Sequence, residues 1–594
     1  MSTGISFQGI SSGVQTDALV SAIMAQDSLP LVRLQNQQSM NNNRTSALNT
    51  LQTDMTNLSS SLQTLQYTGS GFDARTVSSS DTTATYVSAT ASGTTTGNYD
   101  VKVTSVATSG RILPTLTGST NPDGTVNPNL AVADPSGGGT SQIFTPGGTP
   151  ASFAIQGTDG SVHTVTLTAG NNSLNGLASA INASFAGSPT GAGVTASVVN
   201  TGTGNLPYQL VLTANQTGTG TTKGVVTIAD VTSNDGATSG NLIVITAGKV
   251  DSLTAPTTVT GGLQSAAATD AVFSVNGIQL TRKTNTVTDA VAGLTLNLRQ
   301  GGETGTTTLA VAEDTSTISA SMQDVISKYN TLLNDYTTAS TATKDSNGGV
   351  VAAALSNDST SRSIMNQVTS TLTGIPKGLS ASAPYKSIGD LGITANPDGT
   401  LALDTSAFTT AITTNPQAAK AVFDFTGTTS NGVMTFTQGS SATTAQNIAF
   451  NVTSYDGNTG NWSGTLAADG GTAIAVNGTK GGSVTLDSLA NPPGTTLGAL
   501  SGLQLAVTGE GSGTMALTKG VAQTTQDLVS SLTGYNGTIW NTLQDITTTN
   551  TNLSSQISQE QSLLATKQNQ LELQFADMEA AVAQLKAASA GMAG

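Results

Sequence analysis

The stretch LNTLQTDMTNLSSSLQTL, residues 48–65, decides the fold of this chain. Its apolar residues follow one another in alternating steps of three and four, which is the a and d spacing of a heptad helix. Short polar residues fill the positions between them, so the pattern predicts a helix with one apolar seam. The predicted seam residues are Leu48, Leu51, Met55, Leu58, Leu62 and Leu65.

The same spacing returns near the other end of the chain, at Ile539, Leu543, Ile546, Leu553, Ile557 and Leu564. Polar Asn550 and Glu560 occupy two positions of this second seam, and Gln37, Asn41 and Arg44 occupy the first seam when it is traced backwards. We expect the terminal helices to pair within the chain as an antiparallel coiled-coil stalk. Alternatively, parts of these apolar stripes pack against helices of other subunits.

Between the two ends the apolar pattern changes to period two, which indicates β-strands. Strands are predicted at 85–91, 98–106, 153–156 and 163–168, and helices at 173–185, 319–336, 359–372 and 405–423. Asn276-Gly277 predicts a type I′ hairpin turn, and Asn477-Gly478 predicts another. The expected fold class is α+β, with β-rich modules inserted between the N- and C-terminal helices of the stalk.

A chain of 594 residues is too long for one hydrophobic core, so we divide it into parts. The terminal-helix segment is 1–40, the helical stalk comprises 41–78, 313–423 and 521–560, and the C-terminal helix is 561–594. A β-rich head of two modules spans 79–312, with the inner module at about 150–265. An additional β-rich insertion spans 424–520.

The charge balance excludes several classes of partner. Only 9% of residues are charged, and 20 Lys and Arg among 35 Asp and Glu give a net charge of −15. We therefore expect no binding to nucleic acid and none to an anionic membrane surface. Residues 1–27 lack the basic and apolar regions of a signal peptide, and no apolar run approaches the ~20 residues of a membrane span.

Motifs that carry catalysis or bind metal are lacking. The chain has no Cys, and His163 is its single His, so a zinc site has few ligands to draw on. It also lacks a G-x-S-x-G elbow and a phosphate-binding Gly-Lys-Ser/Thr loop. We predict no catalytic residue, no metal site, no cofactor and a non-enzymatic function.

Several short motifs together resemble the FliD family of flagellar filament cap proteins. ISSGVQTDALV at 10–20 and LPLVRL at 29–34 resemble the opening of the family. DAVFSVNGI at 270–278, LGIT at 391–394 and GTLALD at 399–404 resemble its middle. Residues 177–182, followed by 193–197, are similar to the IN motif shared by flagellins and hook-associated proteins.

The resemblance implies a structural cap at the distal end of the bacterial flagellar filament, which retains exported flagellin and promotes its folding and polymerisation. It implies a homo-oligomeric ring, a pentamer or hexamer, with flagellin, the hook–filament junction protein and a cytoplasmic export chaperone as partners. It also implies an extracellular location at the filament tip, reached through the flagellar export apparatus without a cleaved signal peptide. The candidate contacts to other subunits or to flagellin are Leu19, Ile23, Leu31, Leu34, Leu571, Phe575, Met578 and Leu585.

Two alternative functions remain at this point. Flagellin or the hook–filament junction protein would also have helical ends around β modules. A surface adhesin is the second alternative, and binding of mucin or glycans by the outer domains is compatible with a cap as well.

Overall fold

The computed structural model describes residues 15–592 apart from 67–70, 94, 113–130, 137–151, 157–161, 167, 169–172, 189–192, 203–206, 220–226, 233–264, 445, 481, 488–490 and 493. The chain forms two compact units. The helical unit comprises Met1–Phe72 and Thr315–Gly594, and the β unit comprises Asp73–Asp314. Both ends of the chain thus belong to one unit, whereas the predicted inner head module lies partly outside the described residues.

Helices make up most of the helical unit, and one helix lies in the β unit. In the described residues they are α1 (Thr16–Asp27), α2 (Leu29–Gln66), α3 (Leu174–Ser184), α4 (Thr315–Ser340), α5 (Ser359–Leu372), α6 (Thr405–Thr414), α7 (Pro416–Phe423), α8 (Val521–Thr533) and α9 (Thr538–Met592). The long helices α2 and α9 run without a break through the predicted domain limits at 40 and 560. Those limits remain predictions.

The single helix predicted at 405–423 is wrong in one respect, because the structure contains two helices there. Asn415 separates α6 from α7 and has a non-helical ψ of 73°. The cause is Pro416, which has no N–H to donate and disfavours helical geometry in the residue before it. Pro416 is instead the first residue of α7, where a missing N–H costs nothing.

The β unit is built from antiparallel strands. They are β1 (Arg75–Ser79), β2 (Val87–Ala91), β3 (Gly97–Ser105), β4 (Arg111–Ile112), β5 (Ala131–Val132), β6 (Ser152–Gln156), β7 (Val162–Thr166), β8 (Val194–Asn200), β9 (Tyr208–Ala214), β10 (Thr227–Thr232), β11 (Ser265–Ala266), β12 (Ala271–Val275), β13 (Ile278–Arg282), β14 (Thr286–Val291), β15 (Leu294–Leu298) and β16 (Thr307–Glu313). One sheet has the order β1-β16-β3-β12-β13, and a second has the order β14-β15-β2.

Alternating side chains of these two sheets form one core, in which Val101, Phe273, Leu296 and Leu309 are fully buried. The predicted hairpin at Asn276-Gly277 is confirmed: β12 pairs with β13, and both turn residues have positive φ, 50° and 81°. Two positive φ angles are the requirement of a type I′ turn.

The IN motif joins a helix to a strand within the β unit. Helix α3 begins after Ser173, whose hydroxyl accepts a hydrogen bond from the backbone N–H of Gly176 at 3.1 Å. The Asn182 side chain donates to the carbonyl of Ala196 at 2.9 Å and accepts from its N–H at 2.8 Å. Asn182 thereby ties α3 to the adjacent strand β8, which explains why an amide is needed at this position.

The helical unit also contains strands, most of them in the segment between α7 and α8. They are β17 (Thr343–Lys344), β18 (Val350–Val351), β19 (Ile393–Ala395), β20 (Leu401–Leu403), β21 (Phe425–Thr429), β22 (Met434–Gln438), β23 (Asn447–Tyr455), β24 (Trp462–Ala468), β25 (Ile474–Gly478), β26 (Thr485–Leu486), β27 (Gln504–Val507) and β28 (Gly511–Lys519). A six-stranded sheet of order β21-β28-β23-β24-β25-β26 and the pair β22-β27 enclose one core.

The hairpin turn predicted at Asn477-Gly478 is wrong. Both residues lie inside β25, where Gly478 pairs with Trp462 of β24. A side chain on Gly478 would collide with the Trp462 indole ring, which is only 4% exposed. This glycine therefore permits close packing of an aromatic ring and does not form a turn. The predicted α+β class, with terminal helices around β-rich segments, is confirmed.

Candidate assembly surface on the terminal helices

The apolar half of α2 is the centre of the helical bundle. All six predicted seam residues from Leu48 to Leu65 are at most 1% exposed. Helix α2 packs along α4, α8 and α9. Gln52 donates to the carbonyl of Thr533, and Gln526 donates to Gln66 Oε1, so α8 lies beside this half of α2. The heptad stripe is thus covered from several sides and is more enclosed than a two-helix seam.

The polar half of α2 pairs with α9. Gln38 Nε2 donates to Ser554 Oγ at 2.7 Å, and Asn41 Nδ2 donates to Asn550 Oδ1 at 3.0 Å. Residue numbers increase along α2 in the direction in which the paired residue numbers decrease along α9, so the two helices are antiparallel. Asn550 also donates to Asn42 Oδ1 at 2.9 Å. Polar seam positions of this kind fix the register of two helices but stabilise them less than leucines do.

The predicted seam residues of α9 differ in burial. Ile539, Ile546, Leu553 and Leu564 are buried. Leu543 and Ile557 are half-buried. The burial of α9 thus decreases along the helix, and the last part, beyond Leu564, is largely exposed.

Helix α1 completes this arrangement by packing on α9. An ion pair between Asp27 Oδ2 and Lys567 Nζ, at 2.6 Å, joins the end of α1 to α9. We name the segments 16–44 and 550–592 the leg. The leg has few buried side chains, which are Thr16, Val20, Leu553, Leu564 and Glu579 among the described residues. Burial of apolar area drives most helix packing, so the leg is held less firmly than the bundle.

All eight predicted contact residues lie on the leg, and all remain accessible. Leu19, Met578 and Leu585 are exposed, the last at 69%. The other predicted contacts are half-buried, namely Ile23, Leu31, Leu34, Leu571 and Phe575. The predicted contact residues therefore lie on α1, α2 and α9, which pack against one another in the helical unit.

Sequence reasoning missed further exposed apolar side chains of the leg. They are Leu29, Val32, Met40, Leu563 and Leu573. A heptad reading selects the stripe that faces a partner helix and passes over apolar residues on the opposite side. The signal that marks these residues is an apolar side chain at a polar heptad position. A concentration of large exposed apolar side chains on the leg indicates a contact site for another molecule.

An ion pair of Arg44, the last residue of the first leg segment, joins the leg to the bundle. The Arg44 guanidinium Nε lies 2.7 Å from Asp358 Oδ2. Asp358 is also the N-cap of α5, where its other oxygen accepts from the N–H groups of Thr360 and Ser361 at 2.9 and 3.0 Å. One carboxylate thus fixes the position of α2 and the start of α5.

The described residues contain no group of three or more His, Asp or Glu side chains placed to hold a metal ion. His163 is half-buried and packs against Phe185 with ring centroids 4.2 Å apart. Within the same described part of the chain, no helix has the length and apolar character needed to cross a membrane.

Comparison with known proteins identifies the family. Residues 12–110 match the family model of the flagellar hook-associated protein 2 N-terminus, and residues 268–587 match that of its C-terminus. Flagellar hook-associated protein 2 of Escherichia coli is 30% identical over 420 residues, covering 69% of this chain and 78% of that protein. The B-type protein of Pseudomonas aeruginosa is 28% identical over 384 residues, covering 64% and 70%.

The crystal structure of the flagellar cap protein FliD from Escherichia coli is similar at 27% identity and a TM-score of 0.43, covering 63% of this chain and 88% of that one. The family is one of structural flagellar proteins that form a homo-oligomeric cap at the flagellar tip. Matching family models account for more than half of the sequence and contain most of the motifs that first indicated the resemblance, whereas the IN motif at 177–197 lies between the two matches. The chain belongs to the flagellar hook-associated protein 2 family, the FliD filament cap proteins.

Proposed function

We propose that this chain forms the cap at the distal end of the bacterial flagellar filament, retains exported flagellin beneath it and promotes the folding and polymerisation of flagellin. The observation that carries the proposal is the concentration of exposed apolar side chains on the leg of a chain that belongs to this family. A cap must hold the growing end and still release it as each subunit adds. A surface that makes many weak contacts can hold the growing end through their sum and release it as single contacts break.

The energetics of the leg support this function. Full burial of one leucine side chain contributes about 1.5–3 kcal/mol. Several exposed leucines together can therefore hold a partner firmly, while each single contact is weak enough to break. The polar contacts of Asn41 and Asn550 hold the register without adding much stability. Leg segments can therefore move against a partner without unfolding the bundle, whose α2 core residues are fully buried.

The partners follow from the family and from the leg. We propose that five or six copies form a ring, that leg residues contact neighbouring copies and flagellin, and that the first cap assembles on the hook–filament junction protein. A cytoplasmic chaperone would cover the apolar leg before export through the flagellar apparatus. The predicted contact residues of the leg are the surfaces for these interactions.

A complementation experiment tests the proposal. A strain lacking its cap protein receives the wild-type chain, a Leu19→Asp/Leu585→Asp variant, or an Ile375→Asp control. All three positions are exposed, and Ile375, at 72% exposure, lies outside the leg. Because each change keeps the core intact, the variants should fold equally well, which circular dichroism checks.

We expect long filaments with the wild type and with the control. The leg variant should give short or no filaments and release unpolymerised flagellin into the medium, since each Asp places a charge in an apolar contact. Electron microscopy and the amount of secreted flagellin are the measurements. Normal filaments from the leg variant would refute the role of the leg, and loss of filaments with Ile375→Asp would show that the effect is not specific.

A further inference from the structure

One carboxylate interrupts the apolar face of α2. Asp54 lies between Leu51 and Leu58, which are fully buried, and is itself only 9% exposed. Its Oδ2 atom is enclosed and has no hydrogen-bond partner. A charged carboxylate in such surroundings is unfavourable, because it has lost water and gained no donor in exchange.

The group that faces Asp54 is another carboxylate. Helices α2 and α4 are packed together, and the Ser61 hydroxyl donates to Asp324 of α4 at 2.5 Å. Asp335 lies three turns further along α4, beside Asp54. Burial in the helix interface, followed by the negative charge of Asp335 and a hydrogen bond to it, raises the pKa of Asp54 from 3.8 to about 6.

None of the ion pairs in the described part of the chain includes Asp54 or Asp335. Lys328 lies 3.9 Å from Asp324, Arg44 pairs with Asp358, and Lys519 pairs with Asp527. The charged groups of the elements packed against α2 are Asp324, Lys328 and Asp335 on α4, Asp527 on α8, Asp545 on the part of α9 before Asn550, and Asp17 and Asp27 on α1 at the far end of α2.

We propose that Asp54 keeps its proton in the folded chain at acid pH and acts as a pH-sensitive contact between α2 and α4. With the proton present, the Asp54 side chain is neutral and is buried beside Leu51 and Leu58 at little cost. Without it, a negative charge is enclosed between the two helices, near the carboxylate of Asp335. The inference concerns the bundle alone and does not depend on the function proposed for the leg.

The direction of the effect follows from the two protonation equilibria. The pKa of Asp54 is higher in the folded chain, about 6, than its ordinary value of 3.8, so the folded chain binds the proton more tightly. The stabilisation is therefore complete below pH 3.8 and is lost as the pH rises through 6. Between about pH 5 and about pH 7 the equilibrium constant for opening the α2–α4 contact should rise about tenfold.

Hydrogen exchange of the full chain, followed by mass spectrometry and corrected for the intrinsic pH dependence of exchange, measures this opening. Peptides from α2 and α4 should lose about tenfold in protection between about pH 5 and about pH 7. The Asp54→Asn variant keeps the shape of the side chain and removes its charge. Its α2 and α4 amides should be as well protected at neutral pH as those of the wild type are at acid pH, with no dependence on pH.

The matched control is Asp545→Asn, an exposed residue of α9 that should leave the pH dependence as in the wild type. Wild-type protection that does not change with pH would overturn the proposal. So would an Asp54→Asn variant that keeps the wild-type pH dependence or that loses protection at both pH values. An Asp335→Asn variant gives a second test, because it removes the repulsive partner and should also weaken the pH dependence.

Discussion

Asp358 offers a quantitative test of how the leg is joined to the bundle. Its side chain is 4% exposed and performs two tasks, capping α5 and pairing with Arg44. Asp358→Ala removes both. Asp358→Asn keeps an oxygen that can accept from the N–H groups of Thr360 and Ser361, and it removes the charge. Comparing the two substitutions therefore separates the cap from the ion pair.

The magnitudes follow from the exposure of each group. Loss of an N-cap costs about 1 kcal/mol. The Arg44 side chain is 34% exposed, so water partly replaces its lost partner, and the ion pair contributes about 1 kcal/mol instead of the 3–5 kcal/mol of a fully buried pair. Asp358→Ala should thus destabilise the start of α5 by about 2 kcal/mol, and Asp358→Asn by about 1 kcal/mol.

Hydrogen exchange of α5 amides in the full chain measures both values. A loss of about 2 kcal/mol lowers protection by about 30-fold. Arg44→Gln should cost about 1 kcal/mol in the wild type and little in the Asp358→Ala background, because its partner is already missing. Equal effects of Asp358→Ala and Asp358→Asn would refute the capping role, and additive effects of the Arg44 and Asp358 changes would refute the ion pair.

Further substitutions probe the bundle and the insertion. Leu58→Ala, at a fully buried position, should destabilise the helical unit by about 2–5 kcal/mol, whereas exposed Leu585→Ala should change its melting temperature little; equal effects would contradict the assigned burial. Gly478→Ala should destabilise the insertion by about 1–3 kcal/mol and shift the emission of Trp462, since the new methyl group meets the indole. Gly432→Ala, which has open space, is its control, and unchanged emission in both variants would contradict the packing at Trp462.

Most of the helical architecture could be predicted from spacing alone. Heptad steps identified the stripe from Leu48 to Leu65, because burial of one helix face requires that period. The hairpin at Asn276-Gly277 was also predictable, since few residue pairs accept positive φ at both turn positions. In each case a local property of the chain determines the structure.

Other features depended on contacts between distant residues. The apolar stripe on α2 indicates that other helices cover it, but it does not indicate which ones. In the structure α4 and α8 cover it together with α9. Gly478 had the sequence of a turn, yet its role is set by the Trp462 ring on the neighbouring strand. The same holds for Asp54, whose neighbour Asp335 lies 281 residues away in the sequence, and for the exposed leucines of the leg.

The account depends on the pairing of the two chain ends as antiparallel helices, and a thiol crosslink tests this most directly. The chain has no native Cys, so Gln38→Cys and Ser554→Cys introduce the only reactive pair. Their wild-type side chains are 2.7 Å apart. A short bifunctional thiol reagent should link them within one chain, while Gln38→Cys with Asp577→Cys should give no link. Absence of the first crosslink, or its formation only between chains, would contradict the antiparallel pairing on which the proposed cap is built.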